Sequence, residues 1–174
     1  FFLDEITSKL LSIRDIKKEE VESFLNPSIK NHLPNPDVLI DMKRSSLRSV
    51  QAVKEGEKIG IFGDYDVDGA SATALLANFF SYLGLDYDVY IPDRKKEGYG
   101  PSIKAFKKLI DNNVSLIFTV DCGTLSFEAI NYAKEKKIDV IVLDHHQSEI
   151  KLPNAYSIIN PNRLDDKSQL NYLC

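Results

Sequence analysis

The chain has 174 residues, a net charge of −4 and an apolar content of 43%, enough for one domain with a packed core. No apolar run approaches the roughly 20 residues that span a bilayer, and two cysteines, Cys122 and Cys174, do not make a disulfide framework. The acidic balance argues against a general nucleic-acid binder unless metal ions or further chain supply positive charge locally.

No secretory signal is expected, since Asp4 and Glu5 follow Phe1 and Phe2 at once, and a reducing cytoplasm is the expected setting. The only methionine is Met42, and Cys174 closes the chain without a finishing feature, so the sequence is expected to be a fragment cut at both ends.

Residues 1–55 read as a helical arm. "DIKKEEVESFLNPSIKNHLPNPDVL" holds a short amphipathic helix pattern followed by turn signals at Asn26-Pro27 and Asn35-Pro36. "DMKRSSLRSVQAVKEG" then predicts a helix ending near Gly56. From Lys58 a regular rhythm begins. Short apolar runs predict strands at 58–62, 87–91, 115–120, 139–143 and 155–160. Between them, 69–84, 101–113 and 125–137 predict helices, the second with Pro101 in its first turn. Strands that alternate with helices, and are apolar throughout, predict an α/β domain over 56–174. Its expected form is a parallel sheet of about five strands with helices on both faces.

Parallel strands all finish at one edge, where α/β folds bind their ligands. The first strand is followed by Asp64, Asp66 and Asp68 in "GDYDVDG", and the second by Asp93 in "IPDR". The third is followed by Asp121 in "TVDCGT", and the fourth by Asp144, His145 and His146 in "VLDHHQ". Acids and histidines therefore gather on one rim. Carboxylates with imidazoles suit divalent Mn or Zn, and carboxylates alone suit Mg or Mn. A bound cation would offset the repulsion among three closely spaced aspartates.

Several motifs are decoys. "DYDVDG" opens like a calcium-binding EF-hand loop, but its twelfth position is Leu75 rather than glutamate, and a strand precedes it. The first turn lacks the glycine pattern of a dinucleotide site and carries acids where a pyrophosphate would bind. Taken alone, Asp64, Asp66 and Asp68 would fit a solvated turn and Asp121 a helix cap. His32 reads as a surface histidine. Cys122 reads as a packed residue, because a thiolate is too soft for Mn or Mg. Lys134, Lys136 and Lys137 suit the end of a helix.

"GDYDVDGASATALL", "TVDCGT" and "VLDHH" resemble the first three motifs of the DHH phosphoesterase superfamily. "FLNPSIKNHLPNP", "IPDRKKEGYGPS" and "IINPNR" narrow the resemblance to its RecJ-type exonucleases, which are bacterial and specific for single-stranded DNA. The resemblance implies 5′ to 3′ hydrolysis of phosphodiester bonds by two Mn2+ or Mg2+ ions, in recombination and repair. Single-stranded DNA is then the substrate, with a single-strand-binding protein and a helicase as further partners.

Residue by residue, the resemblance makes Asp66 and Asp68 metal ligands, Asp121 a bridge between two ions and His145 a metal-binding histidine. His146 would face the substrate phosphate, and Asp144 would orient its neighbour from behind. Asp64 is either a ligand or a supporting group. Arg94 and Tyr99 would contact the DNA backbone and a base. A fourth-motif aspartate and a second domain are expected beyond Cys174. A small-molecule phosphodiesterase or pyrophosphatase, and a non-catalytic DNA-binding relative, remain as alternatives.

Overall fold

The computed structural model describes residues 3–173; Phe1, Phe2 and Cys174, with the expectations attached to them, lie outside the described residues. The chain forms two compact units, Phe1–Asn35 and Pro36–Cys174. In the first, Asp4 caps helix α1 (Glu5–Ile13) by accepting from the Thr7 amide at 2.9 Å. After a 3-10 turn at Lys18–Glu20 come α2 (Val21–Leu25) and α3 (Ile29–His32), with Asn26-Pro27 between them. His32 is exposed.

The second unit opens with α4 (Met42–Glu55), which ends at Gly56 in a left-handed conformation with φ of 64°. Then follow β1 (Ile59–Gly63), α5 (Val67–Tyr82), β2 (Tyr87–Tyr90), the single turn α6 (Arg94–Glu97) and α7 (Ile103–Asp111). The remainder is β3 (Leu116–Val120), α8 (Phe127–Glu135), β4 (Asp139–Leu143) and β5 (Ser157–Ile159). Among the described residues the strands form one five-stranded sheet, ordered β2-β1-β3-β4-β5 and parallel throughout. Each step of the chain therefore crosses over the sheet through a helix or a long loop.

Side chains alternate across the strands and fill a core on each face. Phe62, Ile117, Val140 and Val142 pack with Phe106 and Leu109 of α7 and Ile130 of α8. Ile59, Ile61, Leu116, Phe118 and Ile141 pack with Ala52 of α4 and Phe80 of α5. Helices thus cover both faces, as the continuous apolar strands predict. Among the described residues no helix is long and apolar enough to cross a membrane.

Several element bounds differ in detail from the sequence reading, and two differences have a visible structural basis. The boundary between units falls after Asn35, so α4 sits with the sheet rather than with the preceding helices. Ala52 in the core, the Ser45–Ser157 hydrogen bond and Arg48 tie it there; Arg48 is 8% exposed and lies between two acids. Its Nε donates to Asp139 at 2.6 Å, and both terminal nitrogens donate to Glu57 at 2.8 Å. The second departure is at α7, which begins after Ser102 rather than at Pro101, because the Ser102 hydroxyl accepts from the Ala105 amide and caps it.

The start of α5 lies hard against the end of β1. A Cβ on Gly69 would stand 2.6 Å from the Asp64 Cβ and 2.7 Å from its Cα, closer than carbon atoms pack. Gly69→Ala is therefore expected to cost about 1–3 kcal/mol, as overpacking of a filled site does. Arg48→Ala should cost about 2 kcal/mol, less than a wholly buried pair, because Asp139 keeps access to water. Urea denaturation midpoints of the two variants check both values.

Candidate metal centre

Sheet register builds the site. Gly63 of β1 pairs with Val120 of β3, and Val120 pairs with Leu143 of β4. The next residue on each strand is an acid, so Asp64, Asp121 and Asp144 leave the carboxyl edge side by side. All three are buried. Asp121 has a left-handed backbone with φ of 60°, which aspartate tolerates better than most residues. Its amide continues the sheet by donating to the Leu143 carbonyl at 2.9 Å.

Asp66 takes a different route to the same place. It is the N-cap of α5, and its Oδ1 accepts from the amides of Asp68 and Gly69 at 3.1 and 3.0 Å. The Gly69 amide, first among its neighbours, holds the Asp66 carboxyl below the usual range. Asp121 moves the other way. Burial first, and then the neighbouring Asp66 carboxylate, push its pKa up.

Among the described residues two groups of ligand-type atoms result, each with its atoms within 4.8 Å of one another. One is Asp64, Asp66 and Asp121; the other is Asp121, His145 and His146. Asp121 belongs to both. His145 Nε2 lies 2.9 Å from Asp121 Oδ1, while Asp121 Oδ2 is buried with no hydrogen-bond partner. A buried carboxylate oxygen without a partner is costly. It fits a divalent cation, as does the donor set of carboxylate and imidazole around it.

Asp144 is arranged otherwise. Its Oδ1 accepts from the amides of His145 and His146 at 2.8 and 3.1 Å and from His146 Nδ1 at 2.8 Å. Its Oδ2 accepts from the Thr124 amide at 2.9 Å. Burial alone would raise its pKa, but these donors outweigh burial and hold it low. For His146 burial opposes the charged ring, yet the Asp144 hydrogen bond and charge prevail and raise its pKa.

The remaining candidates divide. Tyr99 reaches the centre: its hydroxyl donates to the Asp121 carbonyl at 3.2 Å, and its ring meets the His146 ring edge-on at 5.7 Å. Burial, followed by the surrounding acids, raises its pKa. Asp68 falls in neither ligand group, although it lines a cavity of about 480 Å3 with Asp121 and His145. Asp93 is drawn off to cap α6 through the Lys95 amide at 2.9 Å. Arg94 is exposed on that turn, with its guanidinium 5.1 Å from the centre of the Tyr65 ring. Cys122 is buried, and burial raises its thiol well above the ordinary value.

Sequence reasoning gave no role to Thr124, Asn160 or Asn162, whose amides and side chains support Asp144 and the histidines. Thr124 closes "TVDCGT" and the two asparagines lie in "IINPNR", but neither string by itself points to these roles.

Residues 58–172 match the family model for the DHH family, N-terminal domain. A single-stranded-DNA-specific exonuclease RecJ from Bacillus subtilis is 40% identical over 129 residues, 74% of this chain. The chain spans only 16% of that relative's length. A crystal structure of exonuclease RecJ bound to manganese superposes with a TM-score of 0.68 at 30% identity, covering 74% of this chain and 33% of that one. RecJ from Thermus thermophilus in complex with Mn2+ gives a TM-score of 0.70 at 25% identity, covering 90% and 21%. With the family's region running from the residue before β1 to beyond β5, and its acids and histidines on the carboxyl edge, the chain belongs to the DHH family.

Proposed function

We propose that this chain carries the metal centre of a 5′ to 3′ exonuclease specific for single-stranded DNA, acting in the cytoplasm in recombination and repair. The observation that carries the reading is Asp121, one buried carboxylate shared by two ligand groups and left with an unpaired oxygen. Two ions, Mn2+ or Mg2+, would be held by Asp64, Asp66, Asp121 and His145, with Asp121 common to both ligand groups and Asp68 joining from the wall of the adjoining cavity. The manganese named in the two RecJ structures supports the choice of metal. When bound, such ions polarise a phosphoryl oxygen, provide a hydroxide near neutral pH and stabilise the leaving oxygen.

The chain's own residues prepare that site. Asp144 fixes the His146 ring by its Nδ1 and favours its charged form; Nε2, 3.4 Å from the Tyr99 hydroxyl, would exchange that contact for a phosphate oxygen. Tyr99, 55% exposed beside His146, offers a face on which a base can stack. Arg94 lies on the turn following β2 and would contact the DNA backbone. No covalent protein nucleophile is required. A single-strand-binding protein and a helicase are the partners that would deliver such a substrate.

Calorimetric titration of the chain with Mn2+ is expected to show saturable binding that Asp121→Ala removes. Mn2+ at a hundred times its Kd should stabilise the fold by about 2.7 kcal/mol, and thermal melting reads that gain. A folded chain that neither binds Mn2+ nor gains stability from it would refute the metal centre.

For activity, the chain is assayed alone and within its full reading frame on 5′-phosphorylated single strands, duplex DNA and pyrophosphate. Preference for the single strand, degraded from its 5′ end, is expected. Preference for pyrophosphate or a dinucleotide would move the assignment to a small-molecule hydrolase. Asp144→Asn, which keeps the shape and removes the charge, should lower metal affinity or turnover about 10–100-fold, the usual effect of losing a group that orients a site histidine.

A further inference from the structure

His145 and His146 sit in a loop between β4 and β5, where backbone groups would ordinarily bond to water or to a strand. Here all four backbone polar groups of the pair are taken by side chains. Asp144 Oδ1 accepts from both amides. On the other side, Asn160 Nδ2 donates to the His146 carbonyl at 2.9 Å, and Asn162 Nδ2 donates to the His145 carbonyl.

The two asparagines also hold each other. Asn160 Oδ1 accepts from the Asn162 amide at 2.7 Å. Asn160 is 1% exposed and satisfied at both ends of its amide, with a second Nδ2 bond to Thr124 Oγ at 2.8 Å. Reversing that amide would set its oxygen against the His146 carbonyl, so the network fixes its orientation. Thr124 in turn donates its amide to Asp144 Oδ2, which closes a ring of contacts through Asp144, Thr124, Asn160 and His146. Arg163 anchors the segment from below, donating to the Ile158 carbonyl at 2.7 Å and to Asp41 at 3.0 Å.

We propose that Asn160 and Asn162 are positioning residues for the histidine pair: they clamp its carbonyls while Asp144 clamps its amides, so that both rings stay turned toward Asp121. The value of this clamp to function rests on the metal-centre reading above. A loop fixed only by Asp144 would pivot about one carboxylate. With the carbonyls also held, the peptide planes cannot rotate, and His145 Nε2 stays within 2.9 Å of Asp121.

The test compares Asn160→Ala and Asn162→Ala with Ser45→Ala. The Ser45 hydroxyl donates to the Asp41 carbonyl at 2.8 Å and shares a buried hydrogen bond with Ser157 Oγ at 2.7 Å, at the start of β5, so its loss perturbs the fold while leaving every bond to the histidine backbone in place. Two quantities are read: the ring 15N resonances of His145 and His146 in the metal-free protein, and the Kd for Mn2+ by calorimetry. The chain holds three histidines, so the ring resonances are simple to assign.

Both asparagine variants are expected to shift the two ring signals and weaken Mn2+ binding about 10–100-fold, while Ser45→Ala leaves both unchanged. Should Asn160→Ala not fold, Asn162→Ala, at a half-buried side chain, decides alone. Wild-type ring signals and wild-type Kd in a folded Asn162→Ala variant overturn the proposal, as does an equal effect from Ser45→Ala. A wild-type chain that binds no Mn2+ overturns the metal reading instead, and the ring signals then decide the clamp.

Discussion

Crowding of carboxylates at the carboxyl edge of a parallel sheet is the constraint on which the rest of this structure depends. The register that aligns Gly63, Val120 and Leu143 forces the following aspartates into a row. Strand order makes the row contiguous, since β1, β3 and β4 are neighbours although β2 intervenes in the chain. Asp66 then enters from the α5 cap and meets Asp121. Like charges in a buried place are unfavourable. The fold accepts them because strand pairing and helix packing on both faces fix the backbone that carries them.

Within that row, environment separates two acids of the same type. Asp144 and Asp121 follow adjacent strands and are similarly buried, at 8% and 7% exposure. Asp144 receives three backbone amides and a histidine ring, and its pKa falls. Asp121 has one oxygen with no partner and a carboxylate neighbour, and its pKa rises. A satisfied carboxylate is a scaffold. An unsatisfied one beside another acid has the most to gain from a cation. The difference lies in which backbone amides point inward, a property of loops rather than of residue type.

Much of this was legible from the chain. Continuous apolar runs such as Ile59–Gly63 and Leu116–Val120 mark buried parallel strands, and the acids after them mark the binding edge. Two limits have physical causes. The rule that an acid after a strand joins the site fails for β2, because it is an edge strand and Asp93 instead caps α6. The attachment of α4 draws on Arg48 meeting Asp139, 91 residues away, and Ser45 meeting Ser157, 112 residues away, which no local pattern records. Asn160 and Asn162 were invisible for a related reason. Their role consists of hydrogen bonds to the backbone of a distant loop, and an asparagine before or after proline ordinarily signals only a turn.

Spacing misleads most in "DYDVDG", where three alternate aspartates look equivalent. In an extended chain, alternate residues share a face. Here the chain changes conformation within the motif. Asp64 still belongs to the strand end and is buried, Asp66 is the cap and is exposed, and Asp68 already lies in the first turn of α5, exposed as well. The conversion from strand to helix thus sends equally spaced residues to different places. Gly69 is what permits that conversion against β1, since a side chain there would strike Asp64. Asp66 carries its charge with help from the helix amides, whereas Asp121 carries it at a cost. On the proposed reading, a cation would relieve Asp121 most, because Asp121 belongs to both ligand groups and Asp68 to neither.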